Sequence, residues 1–234
     1  MLNQSPIRLL AALDENYLPR LQVLLTSVFI NNPEEKMELY LIHRNIPEKS
    51  LEKLRIQCCS FHYPLHLIQV DASFFQNAPV SRRYPQEMYY RLRLGTDSDY
   101  FNSGVLLMDL KLGREKILPE DVFSYFSEHS ASLLLPDQDI LNAMYGNQIW
   151  EVDDAVWNYD ARNYNSYLLR SSGKADLDWV IAHTAILHFC GRTKPWKPGY
   201  PYRFGILYKH YEHLTHSLEV SAIGKKSGNM SFIN

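Results

Sequence analysis

Residues 7–70 alternate between two kinds of hydrophobic pattern. Short apolar runs, typical of buried strands, occupy residues 7–12, 37–42 and 65–70. Between them, apolar residues recur at helical spacing, first over 17–30 and again after Pro47. Because strand and helix alternate at this spacing, the segment predicts βαβ units and an α/β fold with a parallel sheet. Such a sheet binds ligands beyond the carboxyl ends of its strands.

The pattern is less regular beyond residue 70. The predicted elements are a helix over 88–94, a strongly apolar strand over 105–110, a helix around 122–126, a helix from Asp137 through Met144, and strands at 149–152 and within 181–189. Residues 153–170 are rich in Asn and Tyr and predict a long surface loop with little helix. We expect a single domain over residues 1–223 and a polar tail over 224–234.

Composition narrows the class of protein. Lys and Arg number 24 against 26 Asp and Glu, a formal net charge of −2, which argues against a nucleic-acid-binding protein. Three cysteines are too few for a disulfide scaffold. The first residues lack the basic region of a signal peptide, and no apolar run approaches the ~20 residues of a membrane span. We therefore expect a cytoplasmic protein.

Three short motifs are candidates for chemistry. They are Phe101-Asn102-Ser103-Gly104, Leu135-Pro136-Asp137-Gln138-Asp139, and the nine residues from His188 to Trp196 (HFCGRTKPW). Each has a purely structural alternative, because Asn-Ser-Gly suits a turn, Asp137 suits a helix N-cap and His188 suits a buried core histidine. Neither GxGxxG nor GxxxxGK[ST] occurs, so both standard phosphate loops are absent from the sequence.

In this order, and after a βαβαβ start, the motifs resemble glycosyltransferase family 8, the retaining, metal-dependent group with a nucleotide-binding sheet of the GT-A type. The resemblance covers residues 7–215, and its most specific string is H-x-x-G-x-x-K-P-W from His188. It implies a Rossmann-like mixed sheet flanked by helices. It also implies a transferase that moves a hexose from UDP-glucose or UDP-galactose to a glycan or lipid-linked acceptor with retention.

The resemblance assigns the nucleotide to the first part of the chain. It implies that Ala12, Asp14, Asn16 and Tyr17, at and after the first strand, hold the base and ribose. Arg91, in the Tyr-Tyr-Arg-Leu string, is expected near the diphosphate.

The donor sugar and the leaving group are assigned to the three motifs. By resemblance, Asn102 contacts the donor sugar or ribose, Asp137 binds donor-sugar hydroxyls, Gln138 faces the anomeric carbon, and Asp139 belongs to the same donor-binding string. Asp137 and Gln138 are the candidate catalytic residues.

The last motif is assigned to the diphosphate and its metal. His188 is the expected ligand of Mn²⁺ or Mg²⁺, which compensates the charge of the departing diphosphate. Lys194 adds a positive charge there, and the Gly191 backbone approaches closely.

One expected motif is missing. Family members carry Asp-x-Asp at the end of a central strand, between the strings Tyr-Tyr-Arg-Leu and Phe-Asn-Ser-Gly. In the family several dozen residues separate these strings, and they include the strand and the helix after it. Here only residues 93–100 separate the two strings. They include Asp97 and Asp99, which lack a preceding apolar strand, so we expect a solvated acidic turn there and not the missing metal motif. The sequence therefore predicts an internal deletion that shortens the central sheet.

Three interpretations remain open. The chain is a transferase, or a non-catalytic relative that keeps the fold and part of the donor pocket, or a nucleotide-binding α/β domain of another class. Weak UDP binding that is indifferent to Mn²⁺ would indicate the second. Aromatic and basic residues over 200–211 suit a helix packed on the core or one that contacts a membrane surface, so membrane contact is at most peripheral.

Overall fold

The computed structural model describes residues 5–70, 100–133 and 135–228. These residues pack into two compact units. The first comprises residues 5–70 and 206–228, and the second comprises 100–133 and 135–205. Each unit is described in turn. The predicted helix over 88–94 lies outside the described residues, as do Arg91, Asp97 and Asp99.

The first unit contains the predicted parallel sheet. Strand β1 (Ile7–Ala12) pairs with β2 (Met37–His43), and β2 pairs with β3 (Leu65–Gln69), all in parallel. Ile7 is opposite Met37, and Leu39 is opposite Leu65. The βαβαβ prediction for residues 7–70 is confirmed.

Two helices connect these strands and supply half of the core. Helix α1 (Leu18–Asn31) follows a 3-10 turn at Glu15–Tyr17, and α2 (Glu48–Ser60) begins after Pro47. Leu25 of α1 and Leu54 of α2 pack with Leu39 and Leu41 of β2, and all four are fully buried. These are the apolar positions whose helical and strand spacing the sequence displays.

The second unit is built mainly from short helices. They are α3 (Leu110–Lys116), α4 (Pro119–His129), α5 (Pro136–Tyr145), α6 (Asp154–Trp157), α7 (Tyr164–Arg170) and α8 (Leu177–His183), with a 3-10 turn at Gly146–Gln148. Strands β4 (Tyr159–Asp160) and β5 (Leu187–His188) form a short parallel pair. This pair places Asp160 directly opposite His188.

Several predictions for the second unit are wrong. Residues 105–109 are irregular and exposed, with Leu107 entirely exposed, and α3 begins at Leu110. Residues 149–152 form no strand, and of the strand expected within 181–189 only β5 is present, because α8 runs through His183. An apolar run becomes a strand only where a neighbouring strand pairs with its backbone. In the described ranges no strand pairs with residues 105–110.

The predicted surface loop over 153–170 is instead α6, β4 and α7. Asp153 caps α6 by accepting a hydrogen bond from the backbone of Ala155 at 2.9 Å. The Tyr159 ring is fully buried and stacks on Tyr167, with the ring centroids 4.1 Å apart. The tyrosines of this segment therefore build a core and do not mark a loop.

The last described residues form the long helix α9 (Gly205–Gly228), which continues past the predicted tail boundary at residue 224. In the first unit, Thr215 Oγ1 donates to Thr26 Oγ1 at 2.9 Å, and Arg20 Nη1 donates to the Tyr208 hydroxyl at 3.3 Å. Tyr208 is buried, so this aromatic residue packs on the core. In the described ranges every helix is too short or too polar to cross a membrane.

Candidate functional site

The first two motifs meet in the second unit. Asn142, on α5, clamps the backbone of Phe101: its Oδ1 accepts from Phe101 N at 2.6 Å, and its Nδ2 donates to Phe101 O at 2.8 Å. Gln138, one turn earlier, accepts from Ser103 N at 3.2 Å through Oε1. Residues on one face of α5 therefore fix the Phe101–Gly104 segment.

Asp139 has a defined structural task. It is buried, its Oδ2 accepts from Leu135 N at 2.9 Å, and its Oδ1 accepts from the Tyr100 hydroxyl. It thereby satisfies one of the backbone donors at the start of α5. Asp137 does not cap this helix as predicted, because the N-cap is Leu135 and Asp137 lies in the first turn, exposed. A carboxylate there remains accessible to a ligand, whereas Gln138 is buried.

His188, in the third motif, joins the first motif through Asn158. Asn158 Oδ1 lies 2.8 Å from His188 Nδ1, and Asn158 Nδ2 donates to Asn102 Oδ1 at 3.1 Å. Gly104 packs against the imidazole so closely that a Cβ would lie 2.6 Å from His188 Cε1. All three motifs that the sequence singled out therefore converge on one place in the second unit.

The surroundings of His188 favour its neutral form. Burial lowers the pKa of the imidazole, and the nearby charges of Lys194 and Arg162 lower it further, against an opposing effect of Asp160. A neutral imidazole has one ring nitrogen that donates and one with an open lone pair. This is the form in which histidine binds a metal ion.

Asp160 and Arg162 form a half-buried ion pair beside His188. Arg162 Nε donates to Asp160 Oδ1 at 2.9 Å and Nη2 donates to Oδ2 at 2.6 Å. Arg162 N donates to the same carboxylate at 3.0 Å, and so does Asn163 Nδ2. These contacts fix the carboxyl end of β4, where β5 presents His188.

The loop after His188 positions one lysine. Gly191 adopts a φ of 81°, a left-handed conformation that favours glycine, and Pro195 is fully buried. Lys194 Nζ donates to Phe189 O at 2.9 Å and lies 5.7 Å from the centre of the Trp196 ring. Burial lowers the pKa of the Lys194 ammonium. Burial also raises the pKa of the Cys190 thiol to about 12, so this cysteine remains a thiol.

The predicted nucleotide residues lie in the first unit, after β1. Ala12 ends that strand, Asp14 accepts from Tyr17 N at 3.2 Å, and Asn16 Nδ2 donates to Asp14 Oδ2 at 3.2 Å. Asp14 and Asn16 are exposed at the carboxyl end of the strand, where parallel sheets bind ligands.

A cavity of about 640 Å³ lies in the second unit. Its walls include Phe101, Tyr125, Leu133, Asp139 and Asn142. It therefore borders the same hydrogen bonds that join the first two motifs.

The third motif supplies a side chain that suits a metal ion. His188 fits, because Asn158 engages Nδ1 and leaves Nε2 open. Within residues 5–70, 100–133 and 135–228, no group of three His, Cys, Asp or Glu side chains could hold a metal. Asp97 and Asp99 lie outside these ranges.

Sequence reasoning missed Asn158, Asp160 and Arg162. All three fall in the segment that was interpreted as a surface loop. The signal that was available is the run Trp157-Asn158-Tyr159-Asp160, because alternating large apolar and polar residues are typical of a short half-buried strand.

Comparisons with known proteins give a family model and several relatives. The model of "Glycosyl transferase family 8" matches residues 8–96 and 93–198. General stress protein A of Bacillus subtilis is 23% identical over 271 residues, covering 89% of this chain and 94% of that protein. A lipopolysaccharide 1,2-glucosyltransferase of Escherichia coli is 23% identical over 249 residues, covering 79% of this chain and 71% of that protein.

Solved structures show the same fold. The galactosyltransferase LgtC, in complex with donor and acceptor sugar analogues, superposes with a TM-score of 0.69 at 16% identity, over 88% of this chain and 95% of LgtC. The glycosyltransferase GlyE of Streptococcus pneumoniae superposes with a TM-score of 0.67 at 18% identity, over 96% of this chain but only 64% of GlyE. The prediction of an α/β fold of the GT-A type is confirmed.

Proposed function

The chain belongs to glycosyltransferase family 8, and from this premise we propose that it transfers a hexose from UDP-glucose or UDP-galactose to a glycan or lipid-linked saccharide, with retention at the anomeric carbon. The observation that carries the proposal is the convergence of Phe101–Gly104, α5 and His188 through the hydrogen bonds of Asn142, Gln138 and Asn158. Turns with purely structural roles would have no reason to meet, whereas these three motifs are joined by hydrogen bonds. The names of the E. coli glucosyltransferase and of LgtC support a hexose donor and a saccharide acceptor.

The leaving diphosphate is assigned to the loop of Gly191 and Lys194. Lys194 is half-buried, and its Nζ is anchored on Phe189 O. A partly desolvated ammonium stabilises an added phosphate charge more strongly than an exposed one. The backbone of Gly191 has no Cβ to hinder a close approach.

The donor sugar is assigned to the start of α5. Asp137 is exposed there and is available to sugar hydroxyls, while Gln138 is held by Ser103 N with its side chain buried. Asn102 is exposed beside them and faces the donor in this proposal. Asp139 supports the same site by fixing the start of α5.

We assign His188 as one ligand of Mn²⁺ or Mg²⁺. A bound divalent cation supplies charge compensation to the departing diphosphate. The remaining ligands are assigned to the donor phosphates and water.

We also propose that the chain lacks the Asp-x-Asp strand of its relatives. The family model matches in two segments that meet at residues 93–96, where that strand is expected. The alignment with General stress protein A spans 271 residues, more than this chain of 234 supplies. The exposed run at 105–109, which pairs with no strand in the described ranges, agrees with the loss of a neighbouring strand.

The test is calorimetric titration of UDP into the full chain, with Mn²⁺ and with a chelator, followed by assays of UDP-glucose and UDP-galactose consumption. We expect binding that requires Mn²⁺ and consumption of one donor. Binding that is indifferent to Mn²⁺, together with no consumption, would overturn the proposal and identify a non-catalytic relative.

A matched pair of variants tests the assignment of Lys194. Lys194→Gln is expected to weaken UDP binding about 10-fold or more, because charge-assisted hydrogen bonds contribute roughly 1.5–3 kcal/mol. Lys197→Gln removes the same charge from an exposed neighbour and should change the affinity less than about twofold. Equal effects of the two changes would show that only net charge matters.

A further inference from the structure

Three hydrogen bonds connect the backbone of Gly104 to the imidazole of His188. Gly104 N donates to Asn102 Oδ1 at 2.7 Å. Asn158 Nδ2 donates to the same oxygen at 3.1 Å, and Asn158 Oδ1 lies 2.8 Å from His188 Nδ1. This series of hydrogen bonds starts at the backbone N–H of Gly104, which can only donate.

That fixed donor sets the direction of every later hydrogen bond. The Asn102 atom that faces Gly104 N must be the oxygen, since the amide nitrogen has no lone pair to offer. The Asn158 atom that faces this oxygen must then be Nδ2, which turns Oδ1 of Asn158 toward His188. An amide oxygen can only accept, so His188 Nδ1 must carry the hydrogen. Rotating either amide by half a turn would place two acceptors or two donors face to face.

We infer that Asn158 is a positioning residue that holds His188 as the Nδ1–H tautomer, with the lone pair of Nε2 open to a ligand. The inference rests on the proposed function for what Nε2 binds. The tautomer itself can be measured without donor, metal or transfer.

A second observation supports the same arrangement. A Cβ on residue 104 would lie 2.6 Å from His188 Cε1 and 2.9 Å from His188 Nδ1. The ring therefore occupies the space that any side chain at this position would need. Gly104 both supplies the N–H at which the series of hydrogen bonds starts and leaves room for the His188 ring at which it ends.

The test is nitrogen NMR of the imidazole in the full chain, labelled with ¹⁵N at histidine. Two-bond ¹H–¹⁵N correlations at about pH 8.5, above the usual titration range of histidine, report which ring nitrogen carries the hydrogen. His188→Gln identifies the signal among the other histidines. We expect Nδ1 in the protonated range and Nε2 in the unprotonated range. A wild-type ring with its hydrogen on Nε2 would overturn the inference.

Variants separate positioning from general structural support. Asn158→Ala should move His188 toward the Nε2–H form, which a neutral imidazole prefers in water. Asn158→Asp loses the donor to Asn102 Oδ1 but keeps an acceptor toward His188, so the ring hydrogen should stay on Nδ1. Asn165→Ala, the same change on the exposed face of α7, should leave the spectrum as in wild type. An Nδ1–H ring in Asn158→Ala would show that another group selects the tautomer.

Metal binding gives the functional consequence. Titration of Mn²⁺ in the presence of UDP should show about 10- to 100-fold weaker affinity in Asn158→Ala, in line with the loss of a group that orients a metal ligand. The two proposals fail in different ways. A wild-type protein with an Nδ1–H ring that consumes no donor contradicts the transferase proposal alone, and an Nε2–H ring in an active enzyme contradicts the role of Asn158 alone.

Discussion

Replacing Gly104 by Ala is expected to displace the His188 ring. The new Cβ would lie 2.6 Å from His188 Cε1, which is about 1 Å inside the usual carbon–carbon contact distance. His188 Nδ1 is 2.8 Å from Asn158 Oδ1, and hydrogen bonds of this kind extend to about 3.2 Å between the heavy atoms. A ring shift of about 1 Å away from Asn158 would therefore break this hydrogen bond. The loop cannot retreat instead without disturbing Asn102 Oδ1, which would lie 2.8 Å from the same Cβ.

The magnitude follows from overpacking. Inserting a methyl group into a filled site destabilises by about 1–3 kcal/mol, and we expect Gly104→Ala to lower the free energy of unfolding by that amount. Urea denaturation followed by tryptophan fluorescence measures it, and UDP titration with Mn²⁺ measures the accompanying loss of affinity.

Gly113→Ala is the matched control for this substitution. On α3 the nearest atom to a new Cβ is Ile117 Cδ1 at 4.0 Å, and Ala in a helix should stabilise by about 0.5–1 kcal/mol. If Gly104→Ala instead retains wild-type stability and wild-type UDP affinity, the close packing of residue 104 on His188 is wrong.

Three further predictions address burial and charge. Tyr159→Phe removes a buried hydroxyl without a hydrogen-bond partner, so the free energy of unfolding should stay unchanged or rise by about 1 kcal/mol. Tyr167→Phe removes a hydroxyl that donates to the Asp154 carboxylate at 3.0 Å, so the free energy of unfolding should fall by about 1–2 kcal/mol. If urea denaturation gave the reverse order of stabilities, both expectations would be wrong. Iodoacetamide at about pH 8 should alkylate the exposed Cys59 in the native protein and spare the buried Cys58 until urea is added. The reason is that burial raises the pKa of the Cys58 thiol to about 12. Tandem mass spectrometry distinguishes the two sites. Burial, and after it the ammonium of Lys194, lowers the pKa of His188 in the folded protein, so the unfolded chain binds a proton at His188 more readily. The contribution of neutral His188 to the free energy of unfolding is therefore complete above about pH 6.5 and is lost as the pH falls through the folded pKa. His188→Gln should flatten the pH dependence of the urea midpoint, and an unchanged slope would refute the assignment.

The first unit could be predicted from the sequence because its signals are local and consistent. Each strand of residues 7–70 is bounded by polar residues and alternates with a helix whose apolar stripe faces the sheet, as Leu25 and Leu54 do. The apolar runs located the strands but overstated their burial, because only β2 is buried along its length, whereas β1 and β3 also carry exposed residues. The family-specific strings were also visible, since they are short and contiguous.

The second unit was harder to predict because its structure depends on partners distant in sequence. The run over 105–110 has the composition of a strand, yet Asp109 caps α3 by accepting from the backbone N–H groups of Lys111 and Leu112. Asn158 was missed for a similar reason. Its role arises from Asn102 and His188, which are 56 and 30 residues away along the chain, and no local pattern encodes such a contact.

The exposed run over 105–109 also affects how the protein behaves in solution. Leu106, Leu107 and Met108 are each at least 46% exposed and adjacent in sequence. A contiguous apolar surface that adds no charge promotes attraction between copies, and a net charge of only −2 offers little long-range repulsion to oppose it. This exposed run is therefore expected to limit colloidal stability, and with it the working concentration for calorimetry and NMR.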